Sequence, residues 1–191
     1  MRAIETDLPG VLIIETDVFK DLRGYFTETY NRPKYEAMGI CSEFVQDNMS
    51  FSKIRGTLRG FHWQNPPYAQ AKIVSCSKGA VMDVAVDIRK GSPSYGRYVM
   101  VELSEKNGRQ LYIPRGFAHA VLTLTDDVEF RYKCDNVYNK AAEGGMRYDT
   151  PEVRIDWGEL LDGTEPVLSE KDRQGPDMEE ADNRFVYGVN C

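Results

Sequence analysis

Two histidines, His62 and His119, are the only ones in 191 residues. Each sits in a compact polar segment, Arg59-Gly60-Phe61-His62-Trp63-Gln64 and Pro114-Arg115-Gly116-Phe117-Ala118-His119. Histidine changes charge near neutral pH, so it suits general-base work; the structural alternative is a ring bonded to a turn carbonyl. Arg23, Arg59 and Lys72 supply cations for a diphosphate, since arginine forks match phosphate oxygens. One spacing conflicts with a shared site. Arg59 and His62 lie three residues apart, which on a regular strand sends them to opposite faces. A bulge at Gly60, or an arginine reaching round a strand edge, reconciles them. A metal centre in a barrel wants histidines close in sequence together with a carboxylate. The two here show no HxH or HxxxH spacing, so no metal is expected.

These residues need strands to hold them. Period-two alternation runs through Gly24–Tyr30, Ala80–Ile88 and Asp127–Lys133. In the last, Val128, Phe130 and Tyr132 point one way and Asp127, Glu129, Arg131 and Lys133 the other. Val84, Val86 and Ile88 share a face opposite Val81 and Asp83. Glycine- and proline-bearing turns punctuate the runs, as in an antiparallel sandwich or barrel. Only Pro33–Met38 and parts of the segment after Trp157 read as helical. Polar groups recur on faces expected to be buried: Glu28, Gln46 with Asn48 and Ser50, Lys72 beside Gln70, Asp83 and Tyr132. Buried polar groups must find partners or a ligand, so this interior reads as a binding cavity.

Composition narrows the classes. Lys and Arg number 24 against 30 Asp and Glu, a formal net charge of −6. That balance argues against a nucleic-acid phosphate backbone as partner but leaves room for one small phosphorylated ligand. No apolar run reaches membrane-spanning length, and acidic residues stand where a signal peptide would have its apolar core. A soluble, cytoplasmic protein is expected. The four cysteines (Cys41, Cys76, Cys134, Cys191) are scattered without a CxxC pair, which suits reduced thiols. The chain is expected to form one domain over 1–191, with a polar extension from about 158 to 191 packed on the barrel.

Seven ordered blocks carry a resemblance. They are DLRGYFTETY (21–30), FVQDNMSFS (44–52), GTLRGFHWQNPPYAQAKIV (56–74), DVAVDIRKGSPSYG (83–96), LYIPRGFAHAVLTL (111–124), FRYKCDNVYN (130–139) and LSEKD (168–172). From about Val11 to Met178 the chain resembles the dTDP-4-dehydrorhamnose 3,5-epimerase family. The resemblance implies an all-β, cupin-like jelly-roll barrel (a double-stranded β-helix) with a few short peripheral helices, a homodimer and no cofactor. It also implies a dTDP-linked 4-keto-6-deoxyhexose as substrate, whose protons at carbons 3 and 5 are acidified by the carbon-4 ketone. Inverting such a carbon requires a base on one face and an acid on the other.

On this resemblance His62 is the base and Tyr132 the acid. Lys72 lies near the developing enolate oxygen, and Asp172 orients His62. The implied substrate contacts are Arg23, Glu28, Gln46, Asp47, Asn48, Arg59, His119, Glu143 and Lys171, with Glu28 holding the thymine ring in the dimeric partner's site. Phe61, Trp63 and Ala120 depart from the family's more usual residues, at positions expected near the pocket. Relatives that invert only carbon 3 or only carbon 5 keep much the same residues, so a mono-epimerase is the alternative. A metal-dependent cupin and a catalytically inert sugar-nucleotide-binding module are the rivals from other classes.

Overall fold

A computed structural model describes residues 1–189; Cys191 lies outside the described residues. Thirteen strands are assigned among these. They are β1 (Arg2–Glu5), β2 (Leu12–Glu15), β3 (Val18–Asp21), β4 (Gly24–Thr27), β5 (Gln46–Ser52), β6 (Leu58–Gln64) and β7 (Lys72–Lys78), then β8 (Ala80–Asp87), β9 (Tyr98–Ser104), β10 (Gln110–Ile113), β11 (Phe117–Thr123), β12 (Val128–Cys134) and β13 (Glu143–Gly145). Three short helices, α1 (Arg32–Ala37), α2 (Trp157–Leu160) and α3 (Glu170–Arg173), are peripheral. Asn31 caps α1 and Pro33 fits its first turn, where a missing N–H costs nothing.

The strands form a six-stranded sheet, ordered β1-β2-β10-β7-β12-β5, and a five-stranded sheet, ordered β13-β6-β11-β8-β9. Every strand pairing in them is antiparallel. The architecture is the expected cupin-like jelly roll, except that the sheets face one another without closing into a continuous barrel. β3 and β4 form a separate hairpin outside both.

Side-chain alternation sorts the apolar residues into layers. Val74, Val81, Ala85, Leu103, Leu111, Val121, Val128 and Phe130 pack between the sheets. The opposite face of the five-stranded sheet carries Val84, Val86, Ile88, Ala118, Ala120 and Leu122, and the C-terminal segment covers it with Trp157, Leu161, Met178 and Phe185. β8 is therefore buried on both faces, which explains its almost uninterrupted apolar run. Burying each large apolar side chain contributes about 1.5–3 kcal/mol, so the C-terminal segment is part of the core. Its hold on the sheet edge is also polar. Val167 forms a parallel bridge to Thr57, and hydrogen bonds link it to Leu58 and Gly56.

Candidate active site

One end of the space between the sheets stays open as a cavity of about 740 Å³. Strand parity selects its lining. From the six-stranded sheet come Gln46, Asn48 and Ser50 on β5, Lys72 on β7, and Phe130, Tyr132 and Cys134 on β12. The five-stranded sheet contributes Arg59 and His62 on β6, His119 and Val121 on β11, and Glu143 on β13. The C-terminal segment adds Lys171 and Asp172. His62 and Tyr132 thus stand on opposing walls.

The spacing conflict on β6 is resolved by a bulge. His119 pairs with His62 and Val121 with Arg59, so two steps on β11 match three on β6. The extra residue rotates Arg59 onto the cavity face beside His62. Gly60 makes this possible. Its φ is +125°, and a Cβ there would lie 2.5 Å from the His119 carbonyl oxygen.

His62 Nε2 lies 2.6 Å from Asp172 Oδ1. The carboxyl is buried while the ring keeps 34% of its surface open. Asp172 lies in the first turn of the short helix α3, where its backbone N–H donates to the capping Ser169 hydroxyl. Burial raises the Asp172 pKa. Hydrogen bonding to His62, the His62 charge and hydrogen bonds from Ser169 and the Gly60 backbone outweigh that penalty and hold it below the ordinary value. The carboxylate stays ionised and holds the ring through Nε2, so Nδ1 is not engaged by it.

On the facing wall, burial raises the Tyr132 pKa, with Cys134 adding to the rise and Arg59 opposing it, so the phenol stays protonated. Lys72 Nζ sits 6.0 Å from the Tyr132 ring centroid. Burial lowers the Lys72 pKa, opposed by Cys134 and Asp83. Asp83 is itself fully buried behind the cavity wall, with His119 Nε2 at 2.9 and 3.1 Å from its two oxygens.

Polar side chains frame the mouth. Gln46 Nε2 donates to Asn48 Oδ1 at 3.0 Å, and Gln46 Oε1 accepts from the Tyr138 backbone at 2.9 Å. Lys171 and Glu143 pair across the opening at 2.5 Å.

Ten of the thirteen sequence-derived site residues line this one cavity: His62, Tyr132, Lys72, Asp172, Gln46, Asn48, Arg59, His119, Glu143 and Lys171. Arg23, Glu28 and Asp47 do not. Arg23 is at the tip of the β3–β4 hairpin and, among the described residues, pairs only with Asp21. Glu28 lies beyond β4, 2.7 Å from Lys34, and Asp47 points to the opposite face of β5, 2.8 Å from Lys133. Of the three departures, only Trp63 reaches the cavity. Phe61 and Ala120 face the core beneath the C-terminal segment, because the bulge turns Phe61 away as it turns His62 in. Asp83, Gln64 and Tyr138 were not assigned from sequence. Asp83 stands out only as a charged residue on an apolar face, and the other two carry no such signal. Among the described residues no group of three or more His, Cys, Asp or Glu side chains is arranged to hold a metal.

The family model for dTDP-4-dehydrorhamnose 3,5-epimerase matches residues 5–180. The chain belongs to that family. It is 48% identical to the dTDP-4-dehydrorhamnose 3,5-epimerase of Shigella flexneri, over 95% of this chain and 98% of the relative. Among solved structures it is similar to the 3,5-epimerase of Legionella pneumophila bound to dTDP-4-keto-L-rhamnose, with a TM-score of 0.88, 42% identity and 94% and 93% of the two chains covered. The Bacillus anthracis epimerase with TDP and pyrophosphate bound gives a TM-score of 0.87 and 40% identity, covering 92% of this chain and 98% of that one. A 3,5-epimerase scaffold therefore extends over nearly the whole chain, including the segment that carries Asp172.

Proposed function

We propose that this protein epimerises carbons 3 and 5 of dTDP-4-dehydro-6-deoxy-D-glucose, forming dTDP-4-dehydro-L-rhamnose. The observation that carries the reading is the facing of His62 and Tyr132 across one cavity that Lys72 also lines. His62, oriented by Asp172, removes the proton alpha to the ketone and becomes imidazolium. The electron pair moves onto the carbon-4 oxygen, where the Lys72 ammonium stabilises it; losing such a group typically costs about 10²–10³ in rate. Tyr132 returns a proton from the other wall, so the enolate collapses with inverted configuration. Exchange with solvent then restores both side chains.

The sugar nucleotide is held by Gln46, Asn48, Arg59, His119, Glu143 and Lys171 around the mouth. Arg23, Glu28 and Asp47 act across a homodimer. Support comes from the β3–β4 hairpin, which exposes Phe19, Leu22, Tyr25 and Phe26 beside Arg23; an apolar surface of that kind marks an interface. The 191 residues work as one catalytic unit in the cytoplasm, and the product feeds a rhamnose-bearing cell-surface polysaccharide.

The test is proton exchange. The protein is incubated with the ketosugar nucleotide in deuterated water, a coupled reductase traps product, and carbons 3 and 5 are followed by NMR. Deuterium and inversion at both carbons are expected. Change at one carbon alone makes the protein a mono-epimerase, and change at neither removes the proposed activity.

A further inference from the structure

The second histidine is as tightly held as the first, by a carboxylate that the proton-transfer scheme leaves unused. Asp83 on β8 and His119 on β11 lie on the same face of the sheet, since Asp83 pairs in register with Val121, two residues from His119. Asp83 is fully buried, and no Lys or Arg ion pair is found for it among the described residues. Both its oxygens lie within hydrogen-bonding reach of the same ring nitrogen, Nε2 at 2.9 and 3.1 Å. A carboxylate only accepts, so Nε2 must carry the proton. The ring is fixed on its other side by Phe130, stacked at 6.0 Å and 26°, while His119 remains part of the cavity wall.

We infer that Asp83 is a positioning residue that locks His119 in the Nε2–H tautomer, leaving Nδ1 as an obligate acceptor for a hydroxyl of the bound sugar. The ring is neutral at neutral pH because burial lowers its pKa more than Asp83 raises it. The site therefore divides its histidines. His62 meets a carbon acid and changes protonation, whereas His119 keeps one tautomer and selects for a donor on the hexose. A ligand lacking that hydroxyl leaves Nδ1 desolvated and unpaired, which is how a polar pocket discriminates. The inference rests on the proposed sugar-nucleotide reading for the identity of the donor, while the tautomer itself is independent of it.

With only two histidines, nitrogen-15 spectra of the full chain labelled at histidine contain two ring systems, assignable with His62→Gln. At neutral pH His119 is expected to show protonated Nε2 and bare Nδ1. The Nδ1 resonance is expected to move on adding dTDP-glucose, a stable sugar nucleotide, and to stay in place with dTDP alone. In Asp83→Asn the side-chain amide can donate to Nε2, so the two nitrogens exchange roles. The KM for the ketosugar nucleotide then rises roughly tenfold to hundredfold, with a much smaller change in kcat and unchanged dTDP affinity. A protonated Nδ1 in the unmodified protein overturns the inference, as does an Asp83→Asn variant with unaltered tautomer and KM. Should that variant fail to fold, the unmodified protein's spectra and their response to dTDP-glucose decide. Absence of turnover in the unmodified protein counts against the proposed reaction but leaves the tautomer measurement intact.

Discussion

The cavity wall and the β3–β4 hairpin both carry residues assigned to ligand contact, yet they are built in opposite ways. In the cavity, His62 and His119 are each fixed by a buried carboxylate from a distant part of the chain. In the hairpin, Arg23 keeps 90% of its side chain exposed and, among the described residues, pairs only with Asp21, two residues away. The contrast teaches that one chain is enough to hold the cavity's histidines in place, whereas nothing within the described residues holds Arg23 beyond its own turn, so the proposed role of the hairpin depends on the proposed dimer.

Perturbing each region sharpens that contrast. His62→Ala is expected to lower kcat by about 10²–10⁴, the range of a lost general base, with dTDP affinity by calorimetry held within a few-fold. A near-normal rate would remove the base assignment. Gly60→Ala should come next. The new Cβ overlaps the backbone of β11 and forces the bulge to shift, destabilising the fold by about 3 kcal/mol in urea unfolding. Unchanged stability would mean that the bulge tolerates other backbone shapes. Tyr132→Phe should slow inversion at carbon 5 about 10²-fold, with a smaller effect at carbon 3, read by deuterium incorporation at each position. Equal and negligible effects would take the acid role away. Arg23→Ala is expected to change least, raising KM about tenfold with kcat and thermal stability preserved. A KM unaffected by this change would confine binding to the cavity.

Much of this contrast is legible in the residues, and unevenly so. Alternation over Val128, Phe130 and Tyr132 places the tyrosine inward because a strand's period is two and its apolar face must be buried. The three-residue interval from Arg59 to His62 calls for a bulge, and the register supplies it at Gly60. The Asp83–His119 partnership is not legible. It joins residues 36 apart through strand register, which is set by long-range pairing. The role of the C-terminal segment is likewise hidden. It reads as a polar extension, yet Trp157, Leu161, Met178 and Phe185 are buried against the sheet, because their apolar positions follow the shape of the surface they cover rather than a regular period. Glu28 shows the converse error. Alternation through Gly24–Tyr30 carries it onto a strand, whereas β4 stops at Thr27 and Glu28 turns to Lys34.

The distance in sequence between His62 and Asp172, 110 residues, has a consequence for biogenesis. Synthesis runs from the N-terminus, so every strand of both sheets emerges before the carboxylate that holds the His62 ring. The contact between the His62 ring and Asp172 therefore forms only after both sheets have been made, together with the segment whose Trp157, Leu161, Met178 and Phe185 complete the core. The pairing of ring and carboxylate is thus a late product of synthesis, made in the same stretch of chain that closes the core.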